Sequence, residues 1–251
     1  MVWGVRLPSE FNEFFPRGEL RGYREALAAH YSAEQRPGLT PRHPVEFVFT
    51  SDRPVQADGR PYTTFVDYKS DVSQKFHSEI GVARPHEPAL LPIQPHEWPT
   101  EYVFEKQYKK PASLIKLPNR IYAVEEKLRD VIERLEPGVH QFHPIQMELP
   151  KGVEHPIRFH IMVVGRWLNS FSLAQSDKRG LRDIDSGSPW VFPDTKENYA
   201  GVAMVESAID GAHIWRERAL RDADFFISDK LKEEITKIGL RLPPNYKMKS
   251  V

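Results

Sequence analysis

The stretch that decides the fold runs from Leu117 to Leu149, LPNRIYAVEEKLRDVIERLEPGVHQFHPIQMEL. It reads as a short lead-in, an amphipathic helix over 124–136, a hard stop and then a strand. Val124, Leu128, Val131, Ile132 and Leu135 recur at helical spacing and lay one apolar stripe along one face. Glu125 and Glu126 fall in the first turn, where the helix dipole favours carboxylates. Glu125 with Arg129 and Asp130 with Arg134 are spaced for ion pairs in the favourable orientation. Pro137-Gly138 ends the helix, because proline cannot continue it and glycine takes the conformation that closes it.

Downstream, apolar residues alternate. Ile145, Met147 and Leu149 mark one strand, Ile157, Phe159, Ile161 and Val163 the next, and Trp167, Asn169, Phe171 and Leu173 a third. With Gly165-Arg166 as a two-residue turn, these make an antiparallel meander around 145–173. One face of such a sheet must be covered, and the helix 124–136 is the obvious cover. Short strands follow at 202–205 and 213–215, then an apolar burst at Phe225, Phe226 and Ile227. Ser228 is a good N-cap for a C-terminal helix 229–238, lined by Leu231, Ile235 and Ile238 and stopped by Gly239. The fold class is α+β.

Upstream the reading is less regular. Leu20, Tyr23, Leu27 and Tyr31 mark a helix over 18–34, with Gly22 inside it and Pro37-Gly38 closing it. Val45, Phe47 and Phe49 read as a strand, and 62–68 as its return after the Asp58-Gly59 turn. Half of the 22 prolines fall between Pro37 and Pro111, and from Val82 to Pro99 they leave no room for a regular element. The expected organisation is a proline-rich N-terminal lobe over 1–100 and an α+β domain over 101–251, or one continuous domain.

Composition narrows the function. At 251 residues the chain can bury a substantial core, and 40% apolar with 28% charged residues fits a globular protein. Thirty-five basic residues balance thirty-five acidic ones, so no overall field draws in nucleic acid. The absence of cysteine excludes disulfides, thiolate metal sites and a cysteine nucleophile. Neither a signal peptide nor an apolar run of membrane-spanning length is present, which makes the cytoplasm the expected location.

No catalytic motif stands out. There is no GxSxG, HExxH, GxxxxGK[ST] or strand-linked GxGxxG. The histidines His140, His143, His155 and His160 are the candidates for a small metal-dependent hydrolase, but an i,i+3 pair on a strand points to opposite faces. Asp177, Asp183 and Asp185 fit no calcium loop, and Lys178, Arg179 and Arg182 between them would neutralise a cation site. The expectation is therefore a binding protein with no catalytic residues, no metal and no cofactor. The polar loop 175–198 supplies the candidate contacts Arg182, Asp183, Asp185, Trp190 and Asp194. Trp190 there either anchors an interface or folds back to staple the loop to the core. A self-associating scaffold is the remaining alternative.

Two stretches resemble the immunity-protein family of bacterial polymorphic toxin systems first catalogued as domain of unknown function 1629. One runs from Tyr102 to Leu149 and includes RIYAVEEKLRDVIERLEPGVHQF; the other runs from Gly211 to Lys247, with HIWRERAL, DADFFISDKLKEEI and IGLRLPP. The resemblance implies a non-enzymatic α+β antitoxin that binds and blocks a cognate toxin. Such toxins are usually encoded by the adjacent gene and delivered by contact-dependent or type VI secretion. It supplies no catalytic residues and does not fix the toxin-binding surface.

Overall fold

In the computed structural model, residues 1–33, 64–77, 93–108, 112–186, 189–192, 195–220 and 225–251 are described. Their elements stack in layers, with helices on both sides of a large mixed sheet and a second sheet beyond. The expected α+β class holds.

The larger sheet is built on the deciding stretch. Its main path runs Gly18–Leu20, Glu101–Phe104, Gln141–Leu149, Phe159–Val163, Ile121–Glu125 and Leu114–Leu117, with Val153–Glu154 paired to the end of Gln141–Leu149. Phe159–Val163 pairs antiparallel with both Gln141–Leu149 and Ile121–Glu125, so two of the three expected meander strands are adjacent. The third goes elsewhere. Trp167–Leu168 pairs in parallel with Ile214–Glu217 in the second sheet. Gly165-Arg166 makes no hairpin because both residues are tied to other elements. The Gly165 amide donates to His140 Nδ1 at 3.1 Å, and Arg166 Nε lies 2.6 Å from Glu136 Oε1.

The lead-in to the helix is itself an interior strand of the sheet. Ile121–Glu125 is buried at every position, which is why it lacks the alternation that marks a half-exposed strand. The helix therefore spans Glu126–Leu135, not 124–136, and Val124 and Glu125 belong to the sheet. The expected ion pairs also re-sort. Arg129 lies 2.6 Å from Asp130 and 3.9 Å from Glu126, while Arg134 reaches Glu234 of the C-terminal helix at 2.6 Å.

Helices cover the sheet on both faces. On one lie α1 (Tyr23–Ala33) and α2 (Phe65–His77). Tyr23 and Leu27 of α1 and Tyr68, Val72 and Phe76 of α2 join Leu117, Ile121, Ala123, Ile145, Met147, Phe159 and Ile161 in one core. Two expectations change here. The helix expected over 18–34 starts at Tyr23, because 18–20 joins the sheet edge and Gly22 turns the chain with φ +66° ahead of the helix. The return strand expected at 62–68 is helical from Phe65, since Phe65, Tyr68, Val72 and Phe76 follow a helical period. The strand read at 45–49 and the stop at Pro37-Gly38 lie outside the described residues.

On the other face lie α3 (Glu126–Leu135) and, from the C-terminus, the helix Asp229–Lys237. Leu128, Val131 and Ile132 of α3 and Leu231 and Ile235 of that later helix fill a second core with Tyr122, Val124 and Met162. The same core takes Val5, Ile214, Phe225 and Ile227 from the second sheet, so the two helices lie between the sheets. That sheet runs Asn245–Lys247, Val2–Val5, Phe225–Ser228, Ile214–Glu217 and Trp167–Leu168. Its far face carries Val2, Trp215 and Phe226 into a third core with Leu181, Val191, Tyr199, Met204 and Met248. Strand alternation thus feeds two cores from one sheet. Gly4 lies where a Cβ would come within 2.6 Å of the Tyr199 ring, so the close approach needs glycine. The N-terminal strand lies inside this sheet, paired with both 225–228 and 245–247. No helix among the described residues is long and apolar enough to cross a membrane.

Candidate functional site

The polar loop expected to carry binding residues folds as a short ribbon on the third core. Leu181–Arg182 pairs antiparallel with Trp190–Val191, in the register Leu181 to Val191 and Arg182 to Trp190. Alternation then sorts the side chains: Leu181 and Val191 are buried, while Arg182 is exposed and Trp190 half-buried. The ladder extends by one bond, from the Phe192 amide to the Gly180 carbonyl at 2.9 Å.

Side chains lock the ribbon. Trp190 Nε1 donates to Asp183 Oδ2 at 3.2 Å across the turn, and Asp183 itself adopts φ +52°. Arg182 Nη1 donates to the carbonyls of Arg179 and Leu181, each at 3.0 Å. At the ribbon's base, Asp177 accepts from the Arg179 amide and lies 2.6 Å from Arg179 Nη2. The Arg179 hydrogen bonds hold the Asp177 carboxyl down at about 2. Phe192 is 47% exposed, and its ring lies 5.1 Å from that of Trp190.

Of the five expected contact residues, Arg182, Asp183 and Trp190 are therefore brought together. Asp185 is exposed in the next turn, Ile184–Ser186, and Asp194 lies outside the described residues. The Trp190 indole N–H bonds Asp183 of the same loop, and the ring stays half-buried beside Phe192. Phe192 was not singled out in the sequence, although it follows Trp190 by two residues and so shares its face. The result is an aromatic pair flanked by a guanidinium and a carboxylate on a pinned backbone, an arrangement suited to protein contact.

The four candidate histidines are held by separate partners. His140 is buried, with Nε2 3.2 Å from Glu136 Oε2 and Nδ1 accepting from Gly165. His143 stacks on Trp98 with ring centroids 4.2 Å apart. His155 Nδ1 accepts from the Ile157 amide at 3.1 Å. His160 Nε2 lies 2.7 Å from Arg129 Nη1 on the α3 side. Strand register places His143 opposite Ile161 and His160 opposite Pro144, one position apart on adjacent strands and so on opposite faces. Among the described residues no group of three or more His, Asp or Glu side chains is arranged to hold a metal.

Sequence reasoning passed over two further features. Glu136 is buried at the end of α3, where Oε2 accepts from the Ile214 amide at 2.9 Å and Oε1 faces Arg166. Phe11 is 49% exposed in a loop whose signal, Phe11-Asn12-Glu13-Phe14-Phe15, is visible in the sequence.

Comparison with known proteins bears on most of the chain. The model of a family described as "Immunity protein family (Imm11)" matches residues 38–247. The match contains both stretches of the sequence resemblance and reaches back into the first hundred residues, where none was read. A search of curated proteins gives no match.

Proposed function

The chain belongs to the Imm11 immunity protein family, and from that premise we propose that it binds and neutralises a cognate bacterial toxin without catalysing a reaction. The family match over most of the chain is the observation that carries this reading. The toxin in this proposal is the product of the adjacent gene, delivered by contact-dependent or type VI secretion and met in the cytoplasm. Inhibition of this kind needs a standard-size interface with a few aromatic or arginine anchors near its centre. The ribbon offers such anchors in Trp190, Phe192 and Arg182, so we place one toxin contact there, with Asp183, Asp185 and Asp194 at its rim. The near-neutral charge of the chain favours a toxin other than a strongly basic nuclease, for which an acidic face would speed association.

Co-expression tests the proposal. Cells expressing the adjacent gene's product alone should stop growing, and cells that also express this chain should resume. Continued arrest with the chain present at equal or higher level would contradict it.

A further inference from the structure

The loop before the second strand, ahead of the residues that the family model matches, builds a surface apart from the ribbon. Asn12 shapes it. Its side-chain Oδ1 accepts from the amides of Phe14 and Phe15 at 2.8 and 3.1 Å, while Asn12 and Phe15 exchange backbone bonds. The loop is fixed from below. The Lys116 amide of the sheet edge donates to the Phe14 carbonyl at 2.7 Å, and Tyr102 Oη donates to the Pro16 carbonyl at 2.7 Å. Arg17 N donates to Tyr108 Oη at 3.0 Å, which ties the loop to the segment after Phe104.

On this frame four cations each cover a ring. Arg17 lies 5.0 Å from the Phe11 centroid, Lys116 5.2 Å from Phe15, Arg241 5.4 Å from Phe14 and Lys106 5.2 Å from Tyr108. Phe11 and Phe15 stand 4.6 Å apart. Glu105 and Glu13 pair with Arg17 and Arg241 at 3.4 and 3.2 Å, so Lys106 and Lys116 supply the excess positive charge among these groups. Beside them opens a cleft of about 160 Å³, lined by Phe104, Ile115, Leu149 and Phe159, with Gln107, Tyr108, His155 and the Arg241-paired Glu13 as its polar members. Burial lowers the His155 pKa, which favours the neutral ring there. The space is below the roughly 300–1,000 Å³ usual for small-molecule sites and suits one apolar side chain.

We propose that this surface is a second toxin contact, taking an acidic segment whose apolar side chain enters the cleft while its carboxylates meet Lys106 and Lys116. This rests on the toxin-binding reading above. Three properties favour a protein occupant of that chemistry. Aromatic and arginine side chains are the types that dominate binding energy at interfaces. The excess charge is positive, which favours an acidic partner and makes the encounter salt-dependent. The loop is held by backbone bonds before any partner arrives, so little ordering cost falls on binding.

The test uses the purified full-length chain and the adjacent gene's product, with titrations at low and high salt. The variants are Phe11→Ser and the exposed pair Lys106→Glu with Arg17→Glu. The proposal expects each to weaken binding at least tenfold, and the charge reversal to flatten the salt dependence, with the circular dichroism spectrum unchanged. Wild-type binding that both variants match within twofold would overturn this surface and leave toxin binding intact. A wild-type dimer that the same variants dissociate would overturn it in favour of a second copy of this chain. Failure of the wild-type chain to bind would remove the toxin-binding reading and this surface with it.

Discussion

The carboxylate of Glu136, just past the last turn of α3, accepts a hydrogen bond from the Ile214 amide of the second sheet at 2.9 Å. Through this bond the helix that covers the larger sheet is also fastened to the smaller one. The same carboxylate holds His140 and Arg166, which direct the chain from the first sheet to the second. Replacing Glu136 with alanine leaves a buried amide without its acceptor and Arg166 without its counter-charge. Arg166 is partly exposed and can be solvated, so the main cost is the unsatisfied buried amide, about 1–3 kcal/mol. Urea denaturation of Glu136→Ala would show it as a lowered midpoint.

Acid should destabilise the fold in two steps. Burial lowers the pKa of His96, His143, His155, His160 and His213 from the ordinary 6.5, and for His160 the adjacent Arg129 adds to it. Between the folded values and 6.5, the unfolded chain binds protons that the folded chain does not, so stability falls as pH falls. Glu136 acts lower. Burial works against its charge, but the hydrogen bonds from His140 and the Ile214 amide and the charge of Arg166 outweigh it and hold the carboxyl below 4.5. Its contribution is present above 4.5 and is lost as pH falls through the folded value. The urea midpoint should therefore be lower at about pH 5.5 than at about pH 7.5. His143→Phe keeps a ring against Trp98 and should reduce that difference. An equal or higher midpoint at the lower pH would contradict this.

Truncating Leu128 tests the layer between the sheets. The side chain is 2% exposed in the core shared by α3, the C-terminal helix and both sheets. Leu128→Ala should cost about 2–5 kcal/mol.

At the start of the C-terminal helix, Ser228 Oγ accepts from the Leu231 amide at 3.1 Å and lies 2.8 Å from His213 Nδ1. Ser228→Ala should cost about 0.5–2 kcal/mol, the usual range for a lost N-cap. A change below a few tenths would mean that water replaces the cap at no cost.

Trp190→Ala separates folding from binding. The ring is half-exposed, so the unfolding midpoint should move little, whereas toxin affinity should fall by about 2 kcal/mol or more if the ribbon is an anchor. Unchanged affinity would remove the ribbon from the interface.

What could be read in the sequence follows from periodicity. Leu128, Val131 and Ile132 share one face of a half-buried helix, and Ser228 with Leu231 and Ile235 marks the other, so both helices were legible. Ile121–Glu125 was not, because a strand buried on both sides shows no alternation. Trp167 alternates like its predecessors, yet its partner is Arg216. That choice is made by Glu136 and His140 gripping Arg166 and Gly165, contacts that sequence spacing does not reveal. Of the candidate site, Trp190 was legible as an aromatic in a polar loop. Its face was not, because strands of two residues carry too short a period to read.

Toxin neutralisation is the central claim, and one titration addresses it most directly: the activity of the adjacent gene's product measured against increasing amounts of this chain. The account predicts that activity falls linearly to near zero at one equivalent, with a one-to-one complex recovered by size exclusion. Full toxin activity at a tenfold excess of the chain, with the two proteins eluting apart, would contradict it.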